Sequence, residues 1–114
     1  MERFSIRTID DGPRSLIAAA GELDLAVADR LWAALEPQIT AGRTVVFDCS
    51  GVGFLDSTGL RTLIKAAHKA DEVGGRFRLT EPTAAVRRVL DLAGAADVFD
   101  VELDERLASI HAAK

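Results

Sequence analysis

The sequence has one cysteine, three prolines and no apolar run near the ~20 residues that a membrane-spanning helix needs. Cys49, being alone, cannot close an internal disulfide, and no Cys or His neighbours it in the spacing of a zinc site. It reads as a small buried hydrophobe beside a strand. Met1-Glu2-Arg3-Phe4-Ser5 lacks the apolar segment of a signal peptide, so a cytoplasmic location is expected. Positive charge is not in excess either: 14 Lys and Arg stand against 18 Asp and Glu, a net charge of −4. That balance argues against a nucleic-acid partner, because counterion release needs clustered Lys and Arg. It is compatible with a basic protein partner, and equally with an ordinary soluble domain.

What is present suits one globular domain over residues 1–114. Hydrophobic residues make up 48% and charged ones 28%, which separates the chain from disordered sequences. At 114 residues there is room for a modest core and none for a second domain.

Alternating residues 4–9 predict an edge strand, and Asp10-Asp11-Gly12-Pro13 a turn. Residues 15–20 are short and apolar, a more buried strand. Asp24 is placed to cap a helix whose apolar face is Ala28, Leu31, Trp32, Leu35 and Ile39. Pro37 should kink that helix or end it early. Residues 44–48, continuous and β-branched, predict a central strand covered on both faces. A loop follows over residues 49–56, and from Ser57 a second helix carries Leu60, Leu63, Ile64 and Ala67 inward until Gly74-Gly75. Residues 76–80 read as a strand. Pro82 suits the first position of a third helix, with Val86, Val89, Leu90 and Ala93 inward and Gly94 as its cap. Residues 98–101 give a last strand and residues 104–111 a last helix. The fold class is therefore α/β: a mixed four- to five-stranded sheet packed with about four helices.

One stretch carries chemical information: a strand and loop deliver Asp56-Ser57-Thr58-Gly59 to the start of a helix. Sites form at the carboxyl ends of strands in open α/β sheets, and a helix start tolerates a phosphate. Gly59 has no side chain, so a partner's backbone could approach closely there. Capping alone also accounts for Asp56 and Ser57, since both residue types are favoured caps. The residues by themselves leave both readings open.

The chain resembles the STAS family, and within it the stand-alone anti-sigma factor antagonists of bacterial stress and sporulation switches. Gly21-Glu22-Leu23-Asp24 resembles the motif after the family's second strand. Residues 48–60 resemble its loop, which ends in Asp-Ser-[Ser/Thr]-Gly-Leu, and residues 82–94 its third helix, including Val86-Arg87-Arg88-Val89-Leu90. The resemblance implies a single STAS domain with Ser57 as phospho-acceptor, Thr58 as the neighbouring hydroxyl and Asp24 as an acidic residue nearby. It implies a partner-binding surface of Asp24, Asp56, Ser57, Thr58 and Gly59. The unphosphorylated form would bind an anti-sigma factor that is a serine kinase and so release a sigma factor; a serine phosphatase would reset it. The alternative is a STAS scaffold or binding subunit of a larger assembly, stressosome-like or lipid-transporting, without a sigma-factor role. Two features depart from the pattern: Pro37 in the first helix and Gly53 in the loop.

An enzyme is not expected. A serine nucleophile needs an adjacent base, and His68 lies roughly 16 Å along the helix from Ser57 at 1.5 Å per residue. His111 falls near the end of the chain. Both read as surface histidines. Asp24, Asp48 and Asp56 read as two caps and a strand end rather than a metal site. The glycines of the loop come without the Lys of a phosphate-binding loop, so no cofactor or metal is expected. Trp32 reads as helix–sheet packing, and Arg87-Arg88 as a charged helix face with a possible role against an acidic patch.

Overall fold

The computed structural model describes residues 4–102. Five strands form one sheet in the order β1-β2-β3-β4-β5. β1 (Phe4–Asp11) is an edge strand and pairs antiparallel with β2 (Arg14–Leu23), Ile6 opposite Ala19. β2, β3 (Thr44–Leu55), β4 (Arg76–Thr80) and β5 (Asp100–Glu102) are parallel neighbours. The parallel pairs need crossovers, and α1 (Ala28–Leu35), α2 (Ser57–Val73) and α3 (Ala84–Leu92) supply them. The expected fourth helix, residues 104–111, lies outside the described residues, as does His111.

The helices bury their apolar stripes on one face of the sheet. Leu31 and Leu35 of α1, Leu60 and Leu63 of α2, and Val86 and Leu90 of α3 share a single core with Ile17, Val45, Phe47 and Leu79. Val46 points the other way and is buried outside that core. Pro37 ends α1 as expected: Glu36–Gln38 is a 3₁₀ turn, and Ile39 follows into the core. The buried Ser15 hydroxyl is satisfied by Gln38 Oε1 at 2.9 Å. Trp32 is only half-buried. It packs on the core edge, with Lys65 Nζ 4.2 Å from its ring centroid.

Four boundaries differ from the sequence reading. β2 runs on to Leu23 and β3 to Leu55, so residues 49–56 are mostly strand rather than loop. The glycines there mark bulges. The register slips between Ala18/Ala20 and again between Gly21/Glu22, and Gly51 and Gly53 lie in the two longer stretches of β3. A side chain on Gly51 would press on Ala20 Cβ at 2.9 Å, whereas one on Gly53 would meet nothing within 4 Å. The last strand is Asp100–Glu102, preceded by a 3₁₀ turn over Ala96–Val98. Pro82 precedes the cap of α3 instead of starting the helix; the cap is Thr83.

Thr83 was not singled out by the sequence, yet it fastens α3 to β3. Its hydroxyl donates to the Val52 carbonyl at 2.7 Å and accepts from Val86 N–H at 3.2 Å. Thr83→Ala should cost about 1–2 kcal/mol in urea unfolding, and Thr83→Ser should recover most of it.

Cys49 sits within β3, 1% exposed. Burial, with a smaller effect from the Asp48 carboxylate, pushes its thiol up to about 12 from 9.0. The folded chain thus holds this proton at pH values where the unfolded chain gives it up. The associated stability is complete below pH 9 and is lost as pH rises from 9 toward 12. Native protein at pH 8 should react with a thiol reagent only at its unfolding rate. Cys49→Val should remove this part of the alkaline loss.

Candidate functional site

β2 and β3 run side by side and end level, with Leu23 opposite Leu55. The next residue of each is an aspartate, so Asp24 and Asp56 emerge together at the carboxyl end of the sheet. Asp56 N–H donates to the Leu23 carbonyl at 3.1 Å. Its carboxylate then holds two elements. One oxygen, Oδ1, accepts from Gly59 N–H at 2.8 Å and caps α2; the other, Oδ2, accepts from Leu25 N–H at 3.3 Å. A single side chain thus clamps the turn after β2 to the start of α2.

Asp24 does not cap α1. That helix begins four residues later, with Val27 in the cap position and no side-chain bond. Asp24 closes a tight turn instead: its Oδ1 accepts from Ala26 N–H at 3.0 Å and its carbonyl from Val27 N–H at 3.2 Å. Asp48 makes a similar local bond to Ser50 N–H at 2.9 Å, at the first bulge. Among the described residues no three His, Cys, Asp or Glu side chains gather as metal ligands would. Each of the three aspartates accepts from backbone N–H groups instead: Asp24 from Ala26, Asp48 from Ser50, and Asp56 from Leu25 and Gly59.

Ser57 is the first residue of α2 and is exposed. Its hydroxyl makes no hydrogen bond among the described residues. Capping therefore accounts for Asp56 and leaves Ser57 without a structural task. Thr58 is half-buried, and its carbonyl accepts from the Thr62 hydroxyl at 3.0 Å. Gly59 is buried, which corrects its expected part in admitting a partner's backbone. A methyl there would overlap the Leu23 carbonyl oxygen and lie 2.9 Å from Leu55 Cδ1. The close approach is internal: the first turn of α2 rests on the end of β2.

Two large apolar side chains near the carboxyl ends of β2 and β3 are exposed, Leu25 at 74% and Phe54 at 49%. Neither stood out in the sequence, where Leu25 follows the Gly21-Glu22-Leu23-Asp24 motif and Phe54 falls in the expected loop. Phe54 also lines a groove of about 460 Å³ with Ala84, Ala85 and Arg88 of α3. Exposed large apolar side chains beside polar ones at one end of a sheet are the composition of a protein-binding surface.

Residues 5–109 match the family model of the STAS domain. The chain is a STAS-family protein. BtrV of Bordetella bronchiseptica, named as an anti-sigma factor antagonist, is 33% identical over 82% of this chain and 83% of its own length. The anti-sigma-B factor antagonist of Bacillus subtilis is 28% identical over 72% and 75%. Among solved structures, an anti-sigma factor antagonist from Mycobacterium paratuberculosis aligns with a TM-score of 0.78 at 27% identity, covering 95% of this chain and 94% of that one. Unphosphorylated SpoIIAA, also an anti-sigma factor antagonist, aligns at 0.72 and 20% identity over 96% and 98%. This STAS chain thus belongs with the anti-sigma factor antagonists by sequence and shares their fold. No helix among its described residues is long and apolar enough to cross a membrane.

Proposed function

We propose that this STAS domain is a phosphorylation-controlled antagonist of an anti-sigma factor, with Ser57 as the switch. The observation that carries this reading is the state of Ser57. Its hydroxyl is exposed, makes no hydrogen bond among the described residues and sits on the first turn of a helix, at the end of the sheet where Leu25 and Phe54 are also exposed. A group with no internal bond can be modified without loss of structure, and the same modification changes the surface a partner would cover.

In this scheme the unmodified surface of Asp24, Asp56, Ser57 and Thr58 binds an anti-sigma factor. Gly59 contributes by holding α2 against β2. Binding occupies the face with which that partner holds its sigma factor, and the sigma factor is released. The partner is itself a serine kinase; its transfer of phosphate to Ser57 ends the complex, and a serine phosphatase restores the free hydroxyl. The STAS chain performs no chemistry of its own, and nucleic acid and membrane are not its partners.

The first test uses purified proteins. With ATP alone the chain should stay unmodified. With the cognate kinase it should gain one phosphate, located at Ser57 by peptide mass, and Ser57→Ala should gain none. Phosphate on Ser57 without a kinase, or on Thr58 in preference to Ser57, would overturn the assignment.

A further inference from the structure

We infer that Arg61 is the residue that receives the phosphate on Ser57, pairing with it across one turn of α2. The inference rests on the proposed phosphorylation of Ser57 and adds the group that reads it. Residues 57 and 61 are four apart in one helix, so their Cβ atoms lie about 6 Å from each other on the same face. Arg61 is exposed and makes no ion pair or hydrogen bond among the described residues. The other cations along α2 are engaged: Lys65 lies over the Trp32 ring at 4.2 Å, and Lys69 meets Glu36 at 3.1 Å.

The helix end supplies only part of a receptor, the N–H groups of Ser57 and Thr58. Asp56 already takes Gly59 N–H with its carboxylate and Leu60 N–H with its carbonyl. The acidic groups facing the phosphate are Asp56, ahead of α2, and Asp24, in the turn after β2. A dianion placed there needs a cation from a side chain, and Arg61 is the one within a turn. Its planar guanidinium matches phosphate oxygens two at a time, and an anion N-terminal to a cation at this spacing is the favourable order on a helix. The guanidinium has room to turn, because Arg61 edges a groove of about 580 Å³ between α1 and α2, with Trp32 and Ile64 also lining it.

The pairing changes what phosphorylation does to the surface. The unmodified chain offers a partner an unpaired cation beside Ser57. The phosphorylated chain withdraws that cation into its own helix as it adds negative charge. One modification therefore removes an attraction and introduces a repulsion.

The test needs neither kinase nor partner. Phosphoserine is placed at position 57 during translation of the full chain, and its phosphorus resonance is titrated against pH. The second ionisation of a phosphoserine lies at about 6. Arg61→Ala should raise it by about half a unit, since the dianion loses its nearby cation. Arg61→Lys should recover part of the shift, and Arg87→Ala, on α3, should leave the value unchanged. Equal values in the parent and Arg61→Ala would overturn the inference, as would an equal shift from Arg87→Ala. A negative result here leaves the kinase assay at Ser57 standing. A failed kinase assay likewise leaves the measured pairing standing, so the two failures are distinguishable.

Discussion

Phosphorylation of Ser57 should weaken binding of the cognate anti-sigma factor by a few hundredfold, while the STAS fold itself stays as stable as before. Phosphate adds a charge of about −1.5 to −2. It arrives beside Asp56, whose carboxylate is fixed by Gly59 and Leu25, and beside Asp24 in its turn. Covering that group of charges with a partner, without added cations, costs about 3–4 kcal/mol on the scale of uncompensated interface charges, and each 1.4 kcal/mol is tenfold. Ser57→Asp carries one charge on a shorter arm and should lose roughly 30- to 100-fold. Ser57→Ala should bind like the unmodified chain and resist inactivation. Both variants should melt close to the parent, because the Ser57 hydroxyl holds nothing in place. Calorimetry with the cognate partner decides. Equal affinities for the Ala and Asp variants would sink the electrostatic switch.

The second large effect is expected at Gly59, two residues on, and for a different reason. Gly59→Ala should destabilise the domain by about 2 kcal/mol net. A methyl group there overlaps the backbone of Leu23, which cannot yield as a flexible side chain would. Overpacking against backbone falls at the upper end of the usual range, about 3 kcal/mol, and the better helix propensity of Ala returns about 1 kcal/mol. In a domain of this size the change lowers the melting temperature by roughly 10 °C. The first turn of α2 must also shift, carrying Asp56 and Ser57 away from Leu25, so partner binding should weaken even without phosphate. Gly53→Ala is the control. Its added methyl meets nothing within 4 Å, and it should be neutral. A Gly59→Ala chain as stable as Gly53→Ala would contradict the packing of α2 on β2.

Most of the element order could be read from local pattern. The β-branched run at Thr44, Val45 and Val46, the heptad-like spacing in α2 and the paired glycines at its end each act over a few residues. The structure places strands and helices where those signals fall. Gly74 adopts φ 79° and lets Gly75 N–H reach the Ala70 carbonyl at 2.8 Å, a helix stop written in the sequence itself. Errors arose where a residue's partner is distant. Gly51 and Gly53 look like loop residues until β2 is laid alongside, when they become bulges in a longer strand. Asp24 is a different case: its partner, Ala26 N–H, is two residues away, and an aspartate before a helix suits a local turn as well as a cap.

The candidate site divides in the same way. The sequence by itself determined an α/β chain and placed Asp56, Ser57, Thr58 and Gly59 at the start of a helix, because caps, turns and helix periods are set by near neighbours. Tertiary structure alone decided what each of them does. Parallel strands ending at Leu23 and Leu55 bring Leu25 to Asp56, turn Gly59 inward against the Leu23 carbonyl, and leave Phe54 and the Ser57 hydroxyl facing outward. Those assignments depend on strand register, and a slip of one residue exchanges the two faces of a strand. Only a folded sheet, with both strands in place, fixes that register.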